Sequence, residues 1–182
     1  SAATLRDSLR QVLTLNYSMA TLVRLSKGNT QAFDAVAAEL LPYFDSVSHI
    51  SLSPNGIISQ VYPLAGNEKS IGFNQLSDSL QNLEAVRARD SGQMTLTGPV
   101  SLVQGGTGVI ARLPIFLHEA GESHFWGFAN VTIRLSRLLK TANIQQLNSQ
   151  DIAYKLWRIN PIDDYRPRIG HNHRRMAHDK KR

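Results

Sequence analysis

The chain has 182 residues, 42% of them hydrophobic, and no cysteine, which suits one domain with a buried core and excludes disulfides and thiolate-bound metals. No stretch approaches the ~20 apolar residues of a membrane-spanning helix. The formal net charge of +6 is concentrated in residues 161–182, which hold seven Lys or Arg and three Asp, so the nearly neutral body is unlike a nucleic-acid-binding surface.

A long helix is predicted at the start of the chain. Six residues repeat at spacings of 4, 3, 4, 3 and 4, which is the spacing of one helix face. They are Leu5, Leu9, Val12, Asn16, Met19 and Val23. This stripe either packs on the chain's own domain or forms a dimer seam in which Asn16 fixes the register. Both interpretations stay open, and we expect a homodimer through this helix.

A second helix and a β-hairpin follow. Lys-Gly-Asn at residues 27–29 predicts a helix end, and the next apolar helical face runs until Pro42 breaks it. Strands are predicted over residues 47–53 and 57–62. They are joined by Pro-Asn-Gly at residues 54–56, since Asn-Gly tolerates the positive φ of a tight hairpin turn.

The second half of the chain predicts one more helix and a group of strands. The helix lies near residues 80–88 and ends at Gly92. The strands cover residues 94–97, 108–116, 125–133 and 153–159, with a helix over 135–147 before the last of them. The first five strands and the helices around them predict an α+β fold: a PAS-like, antiparallel five-stranded sheet with a long N-terminal helix and flanking helices.

Four short motifs together carry a family resemblance. They are Pro-Leu-Ala-Gly-Asn-Glu at residues 63–68, Thr-Gly-Pro at 97–99, Gln-Gly-Gly at 104–106 and Phe-Trp-Gly-Phe at 125–128. With their flanks, over residues 52–154, they resemble the CHASE domain, the extracytoplasmic sensor of plant cytokinin receptors and many bacterial transmembrane receptors. The resemblance implies a domain that is not an enzyme and that senses a small molecule on the periplasmic or extracellular side of the membrane. It also implies a cytoplasmic output, either a histidine kinase or a cyclic-di-GMP enzyme.

This resemblance sets the expected organisation of the chain. We predict an N-terminal helical segment at residues 1–44, a PAS-like sensor core at 45–160 and a basic tail at 161–182 outside the core. The chain begins at Ser1 without a signal peptide, so we interpret it as part of a larger, membrane-anchored protein. The second, membrane-proximal lobe of many family members has no match. The alternative function is a ligand-free dimerisation or interaction module whose cup is filled by its own side chains.

The resemblance also implies three ligand-binding positions. An acidic residue that holds the adenine-type ligand of the plant receptors corresponds to Gln81, which can form hydrogen bonds but has no charge. A threonine and a leucine of the same pocket correspond to Thr97 and Val103. Because Gln81 lacks the charge, we do not expect cytokinin to be the ligand.

A fourth candidate, Arg112, comes from the residues themselves. It is a cation in an apolar predicted strand, where alternation places it on one face with Ile110 and Pro114. Its planar guanidinium either binds an anionic ligand such as a carboxylate or forms an internal salt bridge with Glu68 or Asp78.

Other patterns are assigned no chemistry. The glycine-rich residues 104–108 lack the Gly-Lys-Ser/Thr ending of a phosphate loop and predict a hairpin turn. The acidic and histidine residues at 118–124 predict a solvated loop rather than a zinc site, and the tail histidines predict an unfolded, solvated segment. Aromatic residues that we assign to the core, with one of them lining the cavity, are Tyr62, Trp126 and Phe128. We therefore expect no metal, no cofactor and no nucleic-acid partner.

Overall fold

The computed structural model describes residues 2–77, 82–102, 105–141, 155–157 and 168–171. Within them lie four α-helices and seven β-strands. The helices are α1 (Ala2–Leu25), α2 (Phe33–Leu40), α3 (Leu83–Ser91) and α4 (Leu135–Thr141). The strands are β1 (Val47–Pro54), β2 (Gln60–Tyr62), β3 (Thr95–Ser101), β4 (Thr107–Glu119), β5 (Glu122–Arg134), β6 (Lys155–Trp157) and β7 (Arg168–His171).

The first five strands form one antiparallel sheet in the order β2-β1-β5-β4-β3. Helix α3 lies in the chain between β2 and β3, and α1 packs across one face of the sheet. The fold is therefore α+β with a PAS-like five-stranded sheet, as predicted.

The β1–β2 connection shows how local residues set the topology. Asn55 and Gly56 have φ angles of 54° and 81°, the positive values that Asn-Gly was expected to supply. Strand β2 is shorter than predicted because Ile58 is not part of the pairing with β1. Its backbone N–H instead donates to the carbonyl of Phe73 at 3.0 Å. This detour directs the following segment, residues 63–77, over the sheet.

Strands β4 and β5 form a hairpin of 13 residues on each side, longer than predicted at both ends. Ala120 and Gly121 turn the chain with φ angles of 50° and 85°. The pairing shifts by one residue between Ile115 and Phe116. The paired backbone thus extends past the apolar residues on which the prediction was based.

Helix α1 contributes its apolar stripe to the core of its own domain. Val12, Asn16, Met19 and Val23 are each at most 3% exposed. Most of them pack with apolar side chains of β1, β4 and β5 in a single cluster. The stripe is therefore covered by the sheet, and its interpretation as a dimer seam is wrong. A homodimer through α1 stays a prediction, which would have to use the solvent-exposed face of the helix.

The C-terminal part differs from the prediction at one place. Residues 168–171 form β7, which pairs antiparallel with β6 in a separate two-stranded sheet. The expectation of an unfolded tail is wrong for these four residues. The predicted helix over residues 135–147 is described as far as Thr141, and its remainder lies outside the described residues.

Candidate ligand-binding site

The two faces of the sheet have opposite character. Along β4, Ala111 and Leu113 point toward α1 and belong to the apolar core, while the alternate residues Ile110 and Arg112 point to the other side. The same alternation operates on β1 and β5. It places polar side chains on the face away from α1, namely His49, Ser51 and Ser53 of β1 and Asn130 and Thr132 of β5.

A cavity of about 280 Å³ lies over this polar face. Its floor is the sheet, and its cover is the segment that runs from Ile58 to Gln75 together with Asn82 at the start of α3. The described lining residues are His49, Ser51, Ile58, Asn67, Lys69, Ser70, Phe73, Gln75, Asn82, Thr97, Val100, Ser101, Leu102, Ile110, Arg112, Asn130 and Thr132. The volume is near the lower end of the ~300–1,000 Å³ of small-molecule sites.

Arg112 is the buried cation of this cavity, at 4% exposure. Its Nη1 donates a hydrogen bond of 2.9 Å to Oγ1 of Thr97, and its guanidinium carbon lies 5.7 Å from the ring centre of Phe128. Burial lowers the pKa of Arg112 to about 10, although the negative charge of Glu84 on α3 acts in the opposite direction. The guanidinium therefore stays charged at neutral pH without full compensation for its lost hydration.

A network of neutral amide and hydroxyl groups lies on the cavity floor next to Arg112, since Asn130 of β5 is the direct cross-strand neighbour of Arg112 in β4. Nδ2 of Asn130 donates to the hydroxyl oxygens of Ser51 at 3.2 Å and Ser53 at 2.9 Å. Nε2 of Gln75 donates to Oδ1 of Asn130 at 3.3 Å. These hydrogen bonds connect the cover to the sheet, so a displacement of the cover would alter the side-chain contacts of β1 and β5.

Three buried polar atoms of the lining residues have no hydrogen-bond partner among the described residues. They are Oδ1 of Asn67, Oε1 of Gln75 and Nε of Arg112. Asn67 is oriented without ambiguity, because its Nδ2 donates to the carbonyl of Pro63 at 2.8 Å and a carbonyl can only accept. Buried polar groups are normally paired, so these atoms mark places where a polar ligand or water would be stabilised.

His49 adds a neutral group to the same lining. Burial, and then the positive charge of Arg134, lower the pKa of His49 from its ordinary 6.5 to about 4. At neutral pH the imidazole is therefore uncharged. The positive potential inside the cavity then comes from Arg112, with Lys69 exposed at its edge.

The structure brings two of the four predicted site residues together and leaves two untested. Thr97 and Arg112 are hydrogen-bonded in the cavity wall. Gln81 and Val103 lie outside the described residues. Ligand binding by all four stays a prediction, although Asn82 and Leu102, their neighbours in the chain, line the cavity.

The sequence predicts two alternative salt-bridge partners for Arg112, namely Glu68 and Asp78. Glu68 is exposed and accepts a hydrogen bond from the backbone of Gly66 at 3.1 Å, so it is not the partner. Asp78 lies outside the described residues. The carboxylate whose charge acts on Arg112, Glu84, was not among the candidates.

The remaining patterns agree with the prediction in part. Gly105 and Gly106 have φ angles of 83° in the turn before β4. His118, Glu119, Glu122 and His124 are exposed, but they are paired strand residues at the ends of β4 and β5 rather than a loop. The described residues contain no group of acidic and histidine side chains that could hold a metal. Of the three aromatic residues, Phe128 is fully buried beneath Arg112.

Among the residues that the structure describes, no helix combines the length and the apolarity needed to cross a membrane. The CHASE domain family model matches residues 4–164, which is well over half of the chain and includes α1 from its third residue onward. A search of curated protein sequences finds no match.

Several solved structures share the fold at low sequence identity. An extracellular ligand-binding receptor from Desulfohalobium retbaense is 16% identical, with a TM-score of 0.60 over 78% of this chain and 26% of its own. The ligand-binding domain of an amino acid chemoreceptor of Pseudomonas aeruginosa PAO1 in complex with GABA is 13% identical, with a TM-score of 0.58 over 85% and 67%. A second chemoreceptor domain of that organism, in complex with L-Gln, is 16% identical, with a TM-score of 0.59 over 90% and 65%. The chain thus spans about a quarter of the first structure and about two thirds of the other two.

Proposed function

We propose, from the premise that this chain belongs to the CHASE domain family, that its cavity is the site where a small molecule is sensed. The family is sensory rather than catalytic, and the chain has the role of a sensor domain in a signalling receptor. For the whole protein we propose a membrane-anchored receptor with this domain on the periplasmic or extracellular side. Its output would be a histidine kinase or a cyclic-di-GMP enzyme.

The observation that carries this proposal is the cavity with a buried, charged Arg112 in its wall. Empty volume and uncompensated charge in a protein interior both reduce the free energy of unfolding. A module with a self-filled core would place apolar side chains here, as the opposite face of the same sheet does. The polar face is therefore better explained by a ligand that contributes the missing contacts.

A signal can pass from this site to α1 through the thickness of one sheet. Arg112 and Leu113 are adjacent in β4, and the first lines the cavity while the second packs in the core with α1. A ligand that favours one arrangement of β3–β5 over another shifts the population of the α1 position linked to it. We therefore propose α1 as the element that transmits ligand binding.

The proposal is tested by filling the cavity. Thr97 is 8% exposed in the wall, and Thr97→Ile adds apolar volume, with an overpacking cost of about 1–3 kcal/mol. Thr107→Ile makes the same chemical change at an exposed position of β4 and is the matched control. In a thermal-shift screen of small metabolites, a ligand should raise the Tm of the wild type and of the Thr107 variant but not of Thr97→Ile.

Two results would count against the proposal. A ligand that stabilises all three proteins equally binds elsewhere on the chain. If Thr97→Ile raises the Tm and no metabolite stabilises the wild type, the chain is the self-contained interaction module instead.

A further inference from the structure

We propose that the sensed molecule is a small organic monoanion, a carboxylate whose charge is not balanced by an ammonium group. A hydroxy acid is an example of this class, in contrast to a zwitterionic amino acid. The inference rests on the proposed function, because it assigns a ligand class to the same cavity.

The wall of the cavity carries a buried positive charge. Among the described residues, Arg112 donates a hydrogen bond to the neutral hydroxyl of Thr97 and lies over the ring of Phe128. The charge of Glu84 only partly offsets the effect of burial. An anion in the cavity would replace the hydration that burial removes from the guanidinium. Charge-assisted hydrogen bonds of this kind are among the strongest in proteins, and the planar guanidinium matches a carboxylate.

The described lining residues offer no carboxylate to an ammonium group. No Asp or Glu occurs among the described residues that line the cavity. His49 is neutral at physiological pH, and the edge carries a second cation, Lys69. An ammonium group would therefore lose its hydration beside positive charge, with amide oxygens as its best acceptors.

The number of buried positive charges limits the number of negative charges that the ligand can carry. A single buried cation compensates one negative charge, so a phosphate dianion would keep an unpaired charge in the cavity. The volume of about 280 Å³ also suits a molecule of a few carbon atoms. Both points favour a small monocarboxylate.

Neutral hydrogen-bonding groups are available for the part of the ligand outside its carboxylate. Oδ1 of Asn67 is an acceptor without a partner among the described residues. The hydrogen-bonded Gln75, Asn130 and Ser51 of the same lining are uncharged. A hydroxyl or amide hydrogen on the ligand would pair with such acceptors at little desolvation cost. The site thus offers one cation for the carboxylate and, beside it, neutral hydrogen-bonding groups for the remainder of the ligand.

The test uses pairs of compounds that differ only in the group that replaces the ammonium. γ-Hydroxybutyrate is compared with GABA and lactate with alanine, within a panel of three- to six-carbon monocarboxylates and their amino counterparts. Calorimetric titration of the full chain should show the non-amino member binding at least about tenfold more tightly than its counterpart. Inorganic phosphate, as a third arm, should not bind.

Variants connect this preference to Arg112. Arg112→Gln should weaken the carboxylate by about 100-fold or more, while Arg112→Lys keeps the charge and should retain part of the affinity. Arg10→Gln removes an exposed arginine of α1 and should leave binding unchanged. If Arg112→Gln does not fold, Thr97→Val, which removes the hydroxyl contacted by Nη1, should still weaken the carboxylate by about tenfold.

The outcomes separate this inference from the proposed function. Tighter binding of the amino members, or a ligand lost in Thr97→Ile but insensitive to every Arg112 variant, would overturn the ligand class and leave the site in place. No binding by any monocarboxylate of the panel would also overturn the class. The cavity-filling experiment then decides alone whether the site exists.

Discussion

At the scale of single residues, the site illustrates what alternation can and cannot predict. Strand alternation predicts that Arg112 shares a face with Ile110, and both line the cavity. Asn67 and Gln75 lie in the segment before α3, which has no periodicity, so no pattern could assign their directions. Their role depends on the backbone hydrogen bonds that hold this segment over the sheet, such as Gly72 N–H to Ile58 O at 2.8 Å.

The polar residues of β1 could have been found from the sequence. His49, Ser51 and Ser53 alternate with Ile50 and Leu52, a pattern that indicates one polar and one apolar face. The four motifs that carry the family resemblance begin at Pro63 and therefore do not include this strand.

His49 gives the chain a defined response to acid. Its folded-state pKa of about 4 lies below the ordinary 6.5, so the unfolded chain binds a proton first as the pH falls. The stability from neutral His49 is complete above pH 6.5 and is lost progressively down to about pH 4. Over this window the loss should be at most about 3 kcal/mol.

Urea unfolding of the wild type and of His49→Gln at several pH values measures this effect. The variant should show a flatter dependence of stability on pH between 6.5 and 4. His118→Gln, at the exposed β4–β5 turn, is the matched control and should keep the wild-type slope. An unchanged slope in His49→Gln would assign the acid response to other groups.

At the scale of elements, the existence of the five strands of the main sheet was predicted better than their lengths. Apolar content located the centres of β4 and β5, but the strand residues next to the turn, at the end of β4 and the start of β5, are mainly polar and exposed. These ends are strand because the hairpin pairing continues through them, and pairing is a property of two segments. For the same reason the shortening of β2 followed from the partner of Ile58 rather than from its own residues.

Gly127 in β5 shows why the Phe-Trp-Gly-Phe segment needs its glycine. The residue has a φ of 154°, and a Cβ built on it would lie 2.1 Å from the carbonyl oxygen of Ser53 and 2.8 Å from Cα of Pro54. Both neighbours are backbone atoms of β1, so they cannot move aside as a side chain could. The close approach of β5 to β1 therefore depends on the missing side chain.

We expect Gly127→Ala to lower the free energy of unfolding by about 2–4 kcal/mol. Gly121→Ala is the control: its φ is 85°, but a Cβ there meets nothing within 4 Å, so the cost should be about 1 kcal/mol. The two midpoints in urea should differ at equal m-values. Equal effects of the two substitutions would mean that β1 can shift away from β5 without loss.

At the scale of the whole molecule, the sequence specified which residues of α1 are apolar but not what covers them. A heptad-like stripe suits a partner helix and a sheet face equally well, because both accept side chains three and four residues apart. Asn16 suggested a coiled-coil register, whereas in the structure its Nδ2 lies 3.9 Å from the sulfur of Met94. The long-range packing of α1 on β1, β4 and β5 decided between the two interpretations.

We expect the residues after Ile162 to be dispensable for the folding of the five-stranded sheet. Strand β7 pairs with β6 and not with the five-stranded sheet, so removing residues 163–182 should leave the cooperative unfolding of the sheet intact. The Tm should change by less than about 2 °C. A chain that ends at residue 171 and keeps β7 is the control. If only the shorter chain melts several degrees lower, the β6–β7 pair belongs to the same cooperative unit.

The alternation along β4 has a consequence for how such a domain can change over generations. Ile110 and Arg112 face the cavity, while Ala111 and Leu113 face α1, so substitutions that alter recognition fall on different positions from those that alter the helix contact. The two sets of side chains lie on opposite faces of the sheet and pack against different elements. A lineage, or an engineer, can therefore exchange the recognised compound by varying one set of positions and inherit the connection to the output unchanged.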